Sequence, residues 1–424
     1  MSASIKIKNL GPIKDCSMEI DDFTVLTGVQ AAGKSTIAKC IYLFRTIKDD
    51  FLELVLRDMY LENQNKLIKS LKSVLRNKFL RIFGTSLAMS DDMIVEYNYK
   101  DEVYVKLSIF KKNAELDLMD KFVNVEFSSK LLNGLSQITK NRNKFEDLKR
   151  AINNLFDDEF TTVYIPAGRS LISLLTSQLN FLYITMDERQ KRMMDYTTQK
   201  YIEYILKIRP SFVDGLYGLV VDSDNSVQKK AKKLMGLINE VLKGRYVYNN
   251  GTELLYIPDE NNSATLERYV KINFTSSGQQ ESVWIFNILF YIFVNKTKAF
   301  IIIEEPEAHL YPDAQKKITE IIAFVKNSGC QVMLTTHSPY VLGSLNNLIY
   351  ANYIYKNSDS KKSIEEIVDK DLFIDSYSAF QVEKGLINPC KEETDEQLIM
   401  NEVIDGVSSE INEIYDKLFD LRNE

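Results

Sequence analysis

The stretch Gly28-Val29-Gln30-Ala31-Ala32-Gly33-Lys34-Ser35 decides the fold. It follows the apolar, β-branched run Phe23-Thr24-Val25-Leu26-Thr27 and opens the helical pattern Thr36-Ile37-Ala38-Lys39-Cys40-Ile41-Tyr42-Leu43-Phe44. Strand, loop and helix in this order make a phosphate site. Backbone N–H groups of Gly28, Gln30, Ala31, Ala32, Gly33 and Thr36 are placed to wrap a β-phosphate. Lys34 reaches the β and γ oxygens, and the Ser35 hydroxyl can ligate Mg²⁺.

Upstream, residues 4–27 alternate and then become continuously apolar, which predicts two or three strands delivering the loop. Downstream, a helical period runs from Ile47 to Phe83 through Phe51, Leu52, Val55, Leu61, Leu67, Leu71, Leu75 and Leu80. Its other face carries Lys66, Lys69, Lys72, Arg76, Lys78 and Arg81, a stripe that reads as a solvated face or as a contact to nucleic-acid phosphates. From Met93 to Phe127 the period switches to two, predicting antiparallel strands with polar turns at Lys100-Asp101-Glu102 and Lys111-Lys112-Asn113. Thr161 to Ile165 reads as a strand stopped by Pro166 and Gly168, with Arg169 beyond it as a nucleotide-sensing side chain or a structural ion pair.

Residues 171–244 are mostly helical by pattern and hold a second basic cluster, Lys229-Lys230-Ala231-Lys232-Lys233, again a solvated helix or a nucleic-acid or partner contact. Strands resume at Arg245 to Tyr248, Glu253 to Ile257 and Tyr269 to Phe274. Ser276-Ser277-Gly278-Gln279-Gln280 then precedes a nearly apolar run, Val283 to Val294, so Ser277 and Gly278 fall at a helix N-terminus and point dipoles at an anion. That run is well short of the roughly 20 residues that span a bilayer, and reads as a buried helix.

The fully apolar strand Ala299-Phe300-Ile301-Ile302-Ile303 ends in Glu304-Glu305. Beside a phosphate loop, the first carboxylate suits Mg²⁺ or its waters and the second polarises an attacking water. Gln331-Val332-Met333-Leu334-Thr335-Thr336 is another buried strand, ending at His337, one of only two histidines. It is placed to hydrogen-bond a γ-phosphate.

Composition sets the bounds. The chain has 424 residues, 45% apolar and 26% charged, with a net charge of −6. These are ordinary values for a folded chain, and the acidic balance argues against a uniformly basic, nucleic-acid-coating surface. Cys16, Cys40, Cys330 and Cys390 lie far apart, which fits reduced packing thiols rather than a zinc or disulfide framework. With no signal-peptide core at the start, a cytoplasmic location is expected.

The order of motifs carries a resemblance. A Walker A loop, a distant Ser-Gly-Gln-Gln signature, a Walker B strand with a following Glu, and a switch His resemble the ABC-type ATPase heads. Glu304-Glu305-Pro306-Glu307-Ala308-His309-Leu310 and Thr335-Thr336-His337-Ser338-Pro339 look like the OLD and RecF/SMC-like branch. That branch includes ATPase subunits of bacterial anti-phage systems such as PARIS, Septu and some retrons.

The resemblance implies hydrolysis of ATP with Mg²⁺, Glu305 and His337 being catalytic. It implies a head-to-head dimer, or a higher even oligomer, with Ser277, Gly278 and Gln280 contacting nucleotide in trans. It implies a regulator of a separately encoded effector, with a DNA-clamping repair ATPase as the alternative. A nucleotide-stabilised scaffold without turnover is a third reading. Two departures bear on turnover: the signature reads Ser276-Ser277-Gly278-Gln279-Gln280 where the family has Leu-Ser-Gly-Gly-Gln, and Glu304 replaces the usual Asp. The Q-loop glutamine has no clear counterpart, although Ile165 to Ser170 lies where the family carries it.

The expected fold is α/β, an ABC-type P-loop ATPase head with an antiparallel β subdomain and a helical insertion. The expected units are 1–170, 171–244, 245–355 and 356–424. The last unit ends in an amphipathic helix with apolar Leu398, Ile399, Val403, Ile404, Val407, Ile411, Ile414, Tyr415 and Leu418. Packing on its own head is the plainer reading of that face, and a partner seam is the other.

Overall fold

The computed structural model describes residues 3–57, 64–111, 121–140, 144–174, 181, 183–257, 268–400 and 402–422. Lys112 and Asn113 of the expected second turn, and Leu61 of the expected long helix, lie outside the described residues.

The fold is α/β, as the sequence predicts. Strands β1 (Ala3–Leu10), β2 (Ile13–Ile20), β3 (Phe23–Thr27), β4 (Ile94–Lys100), β5 (Val103–Lys111), β6 (Lys121–Phe127), β7 (Thr161–Ile165), β11 (Ala299–Glu304), β12 (Gln331–Thr336), β13 (Ser378–Glu383) and β14 (Leu386–Pro389) form one sheet. Its order is β6-β5-β4-β1-β2-β14-β13-β3-β12-β11-β7. The half from β13 to β7 is parallel, and β1, β2, β4, β5 and β6 form an antiparallel half. A separate antiparallel sheet joins β8 (Arg245–Asn249), β9 (Thr252–Ile257) and β10 (Arg268–Lys271). The expected third strand there stops at Lys271, because Ile272–Phe274 turn into a short 3₁₀ helix.

The central parallel strands β3 and β11 are mostly apolar because both faces are covered. All five residues of β3 and all six of β11 are buried. Their side chains alternate between two cores: Ile301 and Ile303 enter one, Phe300 and Ile302 the other. The phosphate-loop helix (Lys34–Arg45) buries Ile37, Ile41 and Phe44 in the core shared with Phe300. The signature helix (Ser277–Val294) buries Trp284, Ile285 and Ile288 in the core shared with Ile301. The two helices therefore cover opposite faces of one sheet.

Residues beyond 355 join this sheet. The hairpin β13–β14 sits between β2 and β3, so strands consecutive in sequence are separated in space. The C-terminal helix (Glu402–Arg422) differs from the plainer expectation. Ile399 is buried on the head, but Ile411, Ile414, Tyr415 and Leu418 stand exposed. The side chains of Val403, Ile404 and Val407 lie outside the described residues.

The first basic stripe is largely used inside the fold. Lys78 is buried, donates to Thr46 and pairs with Asp50 at 2.8 Å; Arg76 donates to the Val123 carbonyl; Arg81 donates to Gln199 and lies over the Tyr196 ring. Lys72 faces the Phe127 ring, which leaves Lys66 and Lys69 as the exposed members. In the second cluster, Lys230 pairs with Asp371 and Lys233 with Asp369 and Asp371, while Lys229 and Lys232 are exposed. The expected phosphate-contacting stripes are thus reduced by pairing within the chain.

All four cysteines are free and buried. Burial, reinforced by Asp15, pushes the Cys16 thiol up to about 12, so it is an inert packing group.

Candidate functional site

The phosphate loop is built on left-handed backbone. Gly28, Ala31 and Gly33 have φ of 134°, 61° and 113°. A Cβ on Gly28 would lie 2.2 Å from the carbonyl oxygen of Val382 in β13, and one on Gly33 would lie 2.3 Å from Ile13 Cδ1. These glycines let the loop lie directly on the sheet. Gly33 caps the following helix with no side-chain hydrogen bond, leaving the first N–H groups for an anion. Gln30, Ala31 and Ser35 are exposed around this opening, Thr36 is half-buried and Ala32 is buried.

Lys34 crosses the loop. Its ammonium donates to Gly28 O at 2.7 Å and Val29 O at 3.0 Å, and lies 3.3 Å from His337 Nδ1. Burial, opposed by Glu305, Glu307 and Glu304, lowers its pKa to about 8. His337 Nε2 lies 3.0 Å from Glu305 Oε1. One line of contacts thus joins the phosphate-loop lysine to the carboxylate after β11.

Glu304 and Glu305 differ as their positions require. Glu304 is buried at the end of β11; its Oε2 accepts the Ala167 N–H at 3.2 Å, and its Oε1 has no partner. An unpaired buried carboxylate oxygen is costly unless a ligand satisfies it. Together with the exposed Ser35 hydroxyl it fits Mg²⁺, which takes few protein ligands and completes its shell from phosphate and water. Glu305 is half-exposed in left-handed backbone, φ 43°, pinned by its N–H to Thr335 O at 2.9 Å. The hydrogen bond from His337, against partial desolvation, lowers its pKa below the ordinary carboxylate value.

Three further side chains organise this pair. Glu307 is buried and accepts from Thr336 Oγ1 at 2.7 Å and His337 N at 2.8 Å, fixing the histidine. Arg169 is a structural ion-pair residue: at 1% exposure it donates to Glu304 O at 2.7 Å, Glu305 O at 2.9 Å and Pro166 O at 2.6 Å. It also donates to Glu281 O in the signature helix at 3.0 Å and pairs with the Glu281 carboxylate at 3.3 Å. That carboxylate accepts the N–H groups of Arg169 and Ser170 in return. The motif reading gave no role to Glu281 or Glu307. The available signals were a carboxylate heading an apolar helix and a third Glu around Pro306.

The signature residues lie on the helix that covers the other face of the sheet from the phosphate-loop helix. Ser276 closes a capping box with Gln279, leaving Ser277 exposed. Gly278 is packed so that a Cβ would lie 2.7 Å from His309 O. Gln280 does not face outward: its buried amide donates to Asn273 O and Thr275 O and shapes the turn before the helix.

Residues 1–342 match the AAA ATPase domain family (AAA_15). The chain belongs to that family. An uncharacterized protein of Methanocaldococcus jannaschii is 25% identical over 202 residues, 46% of this chain and 23% of that relative's length. Among solved structures, the SMC head domain from Thermotoga maritima aligns at 10% identity over 93% of this chain and all of that chain, with a TM-score of 0.37. The Smc head domain with an extended coiled coil, bound to the C-terminal domain of ScpA derived from Pyrococcus furiosus, aligns at 12% identity over 96% and 98%, with a TM-score of 0.40. Among the described residues of this AAA ATPase-domain protein, no helix is long and apolar enough to cross a membrane.

Proposed function

We propose that this AAA ATPase-domain protein hydrolyses ATP and acts as a switch whose open and closed states control a separately encoded effector of an anti-phage system. The observation that carries the ATPase reading is the contact line Lys34–His337–Glu305 beside the unpaired oxygen of Glu304. Lys34 and the loop N–H groups hold the β- and γ-phosphates. Ser35 and Glu304 hold Mg²⁺, which neutralises charge on the phosphoryl group when bound. His337 orients Glu305, and Glu305 orients and polarises the attacking water.

Two copies close over the nucleotide, with Ser277 and Gly278 supplied in trans. Two features support this: the opposite-face placement of the signature helix, and exposed Val29, Phe274, Tyr311 and Tyr340 next to the loop, signature, His309 turn and His337. The defence role rests on the likeness of the Glu-Glu-Pro-Glu-Ala-His-Leu and Thr-Thr-His-Ser-Pro motifs to OLD-like subunits. The pairing of Lys78, Arg81, Lys230 and Lys233 within the chain favours it over a duplex clamp. The units 1–170, 171–244, 245–355 and 356–424 are proposed as its working parts, with the last contributing β13 and β14 to the common sheet.

The test is native mass spectrometry of the chain co-expressed with its neighbouring genes in ATP and Mg²⁺, with and without Glu305→Gln. A stoichiometric second protein and a trapped homodimer in the variant are expected. Turnover stimulated by duplex DNA, without a protein partner, would move the reading to the clamp.

A further inference from the structure

Tyr164 carries a hydroxyl that the fold encloses and leaves unpaired. The residue is 3% exposed, and its Oη has no hydrogen-bond partner among the described residues. Packing accounts for the ring, which meets Tyr42 of the phosphate-loop helix edge-on at 5.3 Å. It does not account for the hydroxyl, since a phenylalanine would pack there without the cost of an unsatisfied polar group.

The strand register shows what the hydroxyl approaches. β7 runs parallel to β11 with Tyr164 opposite Ile302, and both side chains enter the core that holds Phe300. Glu304 lies two residues beyond Ile302 and so projects from the same face. An aromatic side chain that leans along its strand reaches toward such a diagonal neighbour. Burial, and after it the negative charge of Glu304, hold the phenol's pKa well above its ordinary value, so the hydroxyl is a donor. Glu304 offers the matching acceptor: Oε2 takes the Ala167 N–H at 3.2 Å, whereas Oε1 is buried without a partner. A buried donor and a buried acceptor, each unpaired, thus lie in one site.

We propose that Tyr164 is a positioning residue for the Mg²⁺ carboxylate: its hydroxyl donates to Glu304 Oε1 and leaves that oxygen's other lone pair for the metal or a metal-bound water. This role rests on the ATPase reading above. A carboxylate oxygen accepts at more than one site, so the two bonds are compatible. Glutamate has one more rotatable bond than aspartate, and the Ala167 N–H fixes only one of its two oxygens. The Tyr164 hydroxyl, on a ring held against Tyr42, fixes the second and sets the plane of the carboxylate. Removing such a hydrogen bond from a ligating carboxylate weakens metal binding about 10–100-fold.

The test is Tyr164→Phe, which keeps the ring and removes only the hydroxyl. Mn²⁺ is titrated into the full chain held in excess over a non-hydrolysable ATP analogue, so that little free nucleotide competes, and electron paramagnetic resonance counts the free ion. Wild type is expected to bind Mn²⁺ in a nucleotide-dependent way, and Tyr164→Phe about 10–100-fold more weakly. The melting temperature of the nucleotide-free variant is expected to match or exceed that of wild type, an outcome that sets the role apart from a structural one. The pairing itself is read in a Glu304→Asp background, where the shorter side chain draws back from the hydroxyl. There, adding Tyr164→Phe is expected to change Mn²⁺ affinity about twofold or less. Equal Mn²⁺ affinity in wild type and Tyr164→Phe overturns the proposal and leaves the ATPase reading standing, as does an undiminished loss in the Glu304→Asp background. A wild type that takes up no Mn²⁺ with the nucleotide overturns both.

Discussion

His337 stands between Lys34 and Glu305, with Nδ1 3.3 Å from the ammonium and Nε2 3.0 Å from the carboxylate. An ammonium has only protons to offer, so Nδ1 must accept and Nε2 must carry the ring proton and donate to Glu305. The histidine is therefore held in one tautomer by its two neighbours. Glu305→Gln is expected to lower single-turnover ATP hydrolysis about 10²-fold or more while nucleotide affinity stays within a few-fold. His337→Ala is expected to lower it less, because Glu305 keeps its backbone anchor. Undiminished turnover in Glu305→Gln would remove that carboxylate from the mechanism.

Lys34→Ala is expected to abolish binding of a fluorescent ATP analogue, and Gly28→Ala to weaken it through backbone geometry. The added methyl has no place beside Val382 O, and Gly28 sits at a φ of 134° that L residues avoid. Calorimetric unfolding separates the two: Lys34→Ala keeps the melting temperature or raises it, whereas Gly28→Ala lowers it.

Arg169 and Glu281 form a buried pair, so losing either leaves an uncompensated charge. Arg169→Ala is expected to cost about 3–5 kcal/mol in denaturant unfolding, and the paired change Arg169→Met with Glu281→Leu much less than the sum of the singles. The functional consequence is separate. Arg169→Met with Glu281→Leu is expected to slow hydrolysis, because the carbonyls of Glu304 and Glu305 lose their link to the signature helix.

Glu253 gives a pH dependence. It is buried, with Arg209 3.5 Å and Trp284 Nε1 3.3 Å from its oxygens. Burial, opposed by those partners, pushes its carboxyl from 4.5 up to about 7. The folded state then holds a proton that the unfolded chain releases, so this group's contribution to stability is full below about pH 4.5 and lost as pH rises through about 7. Melting curves of wild type across that window are expected to fall relative to those of Glu253→Gln. Parallel curves for the two proteins would dismiss the assignment.

The phosphate loop was legible as a Gly-rich motif between strand and helix, β11 and β12 as apolar runs ending in polar residues, and the signature helix as an apolar run behind a polar start, patterns that local sequence carries. Glu281 and Glu307 were not, since a buried carboxylate's meaning depends on the group it meets across the fold. The same holds for Lys78 and Arg81, whose helical spacing suits a solvated face equally well until Asp50 and Gln199 are seen beside them. The placement of β13 was hidden for a topological reason. Ser378 to Glu383 is short and half-polar, and nothing in it marks β3 as its neighbour.

That placement sets the order in which the molecule can be made. Translation delivers β2, β3 and the phosphate loop within the first 35 residues, yet the gap between β2 and β3 is filled only by residues 378–389. A nascent chain must hold its nucleotide loop without the Val382 backbone behind Gly28 until residues 378–389 have left the ribosome. The loop therefore takes its final form late. A chain truncated after the 342 residues of the family match lacks the strand whose backbone lies behind Gly28 of the phosphate loop.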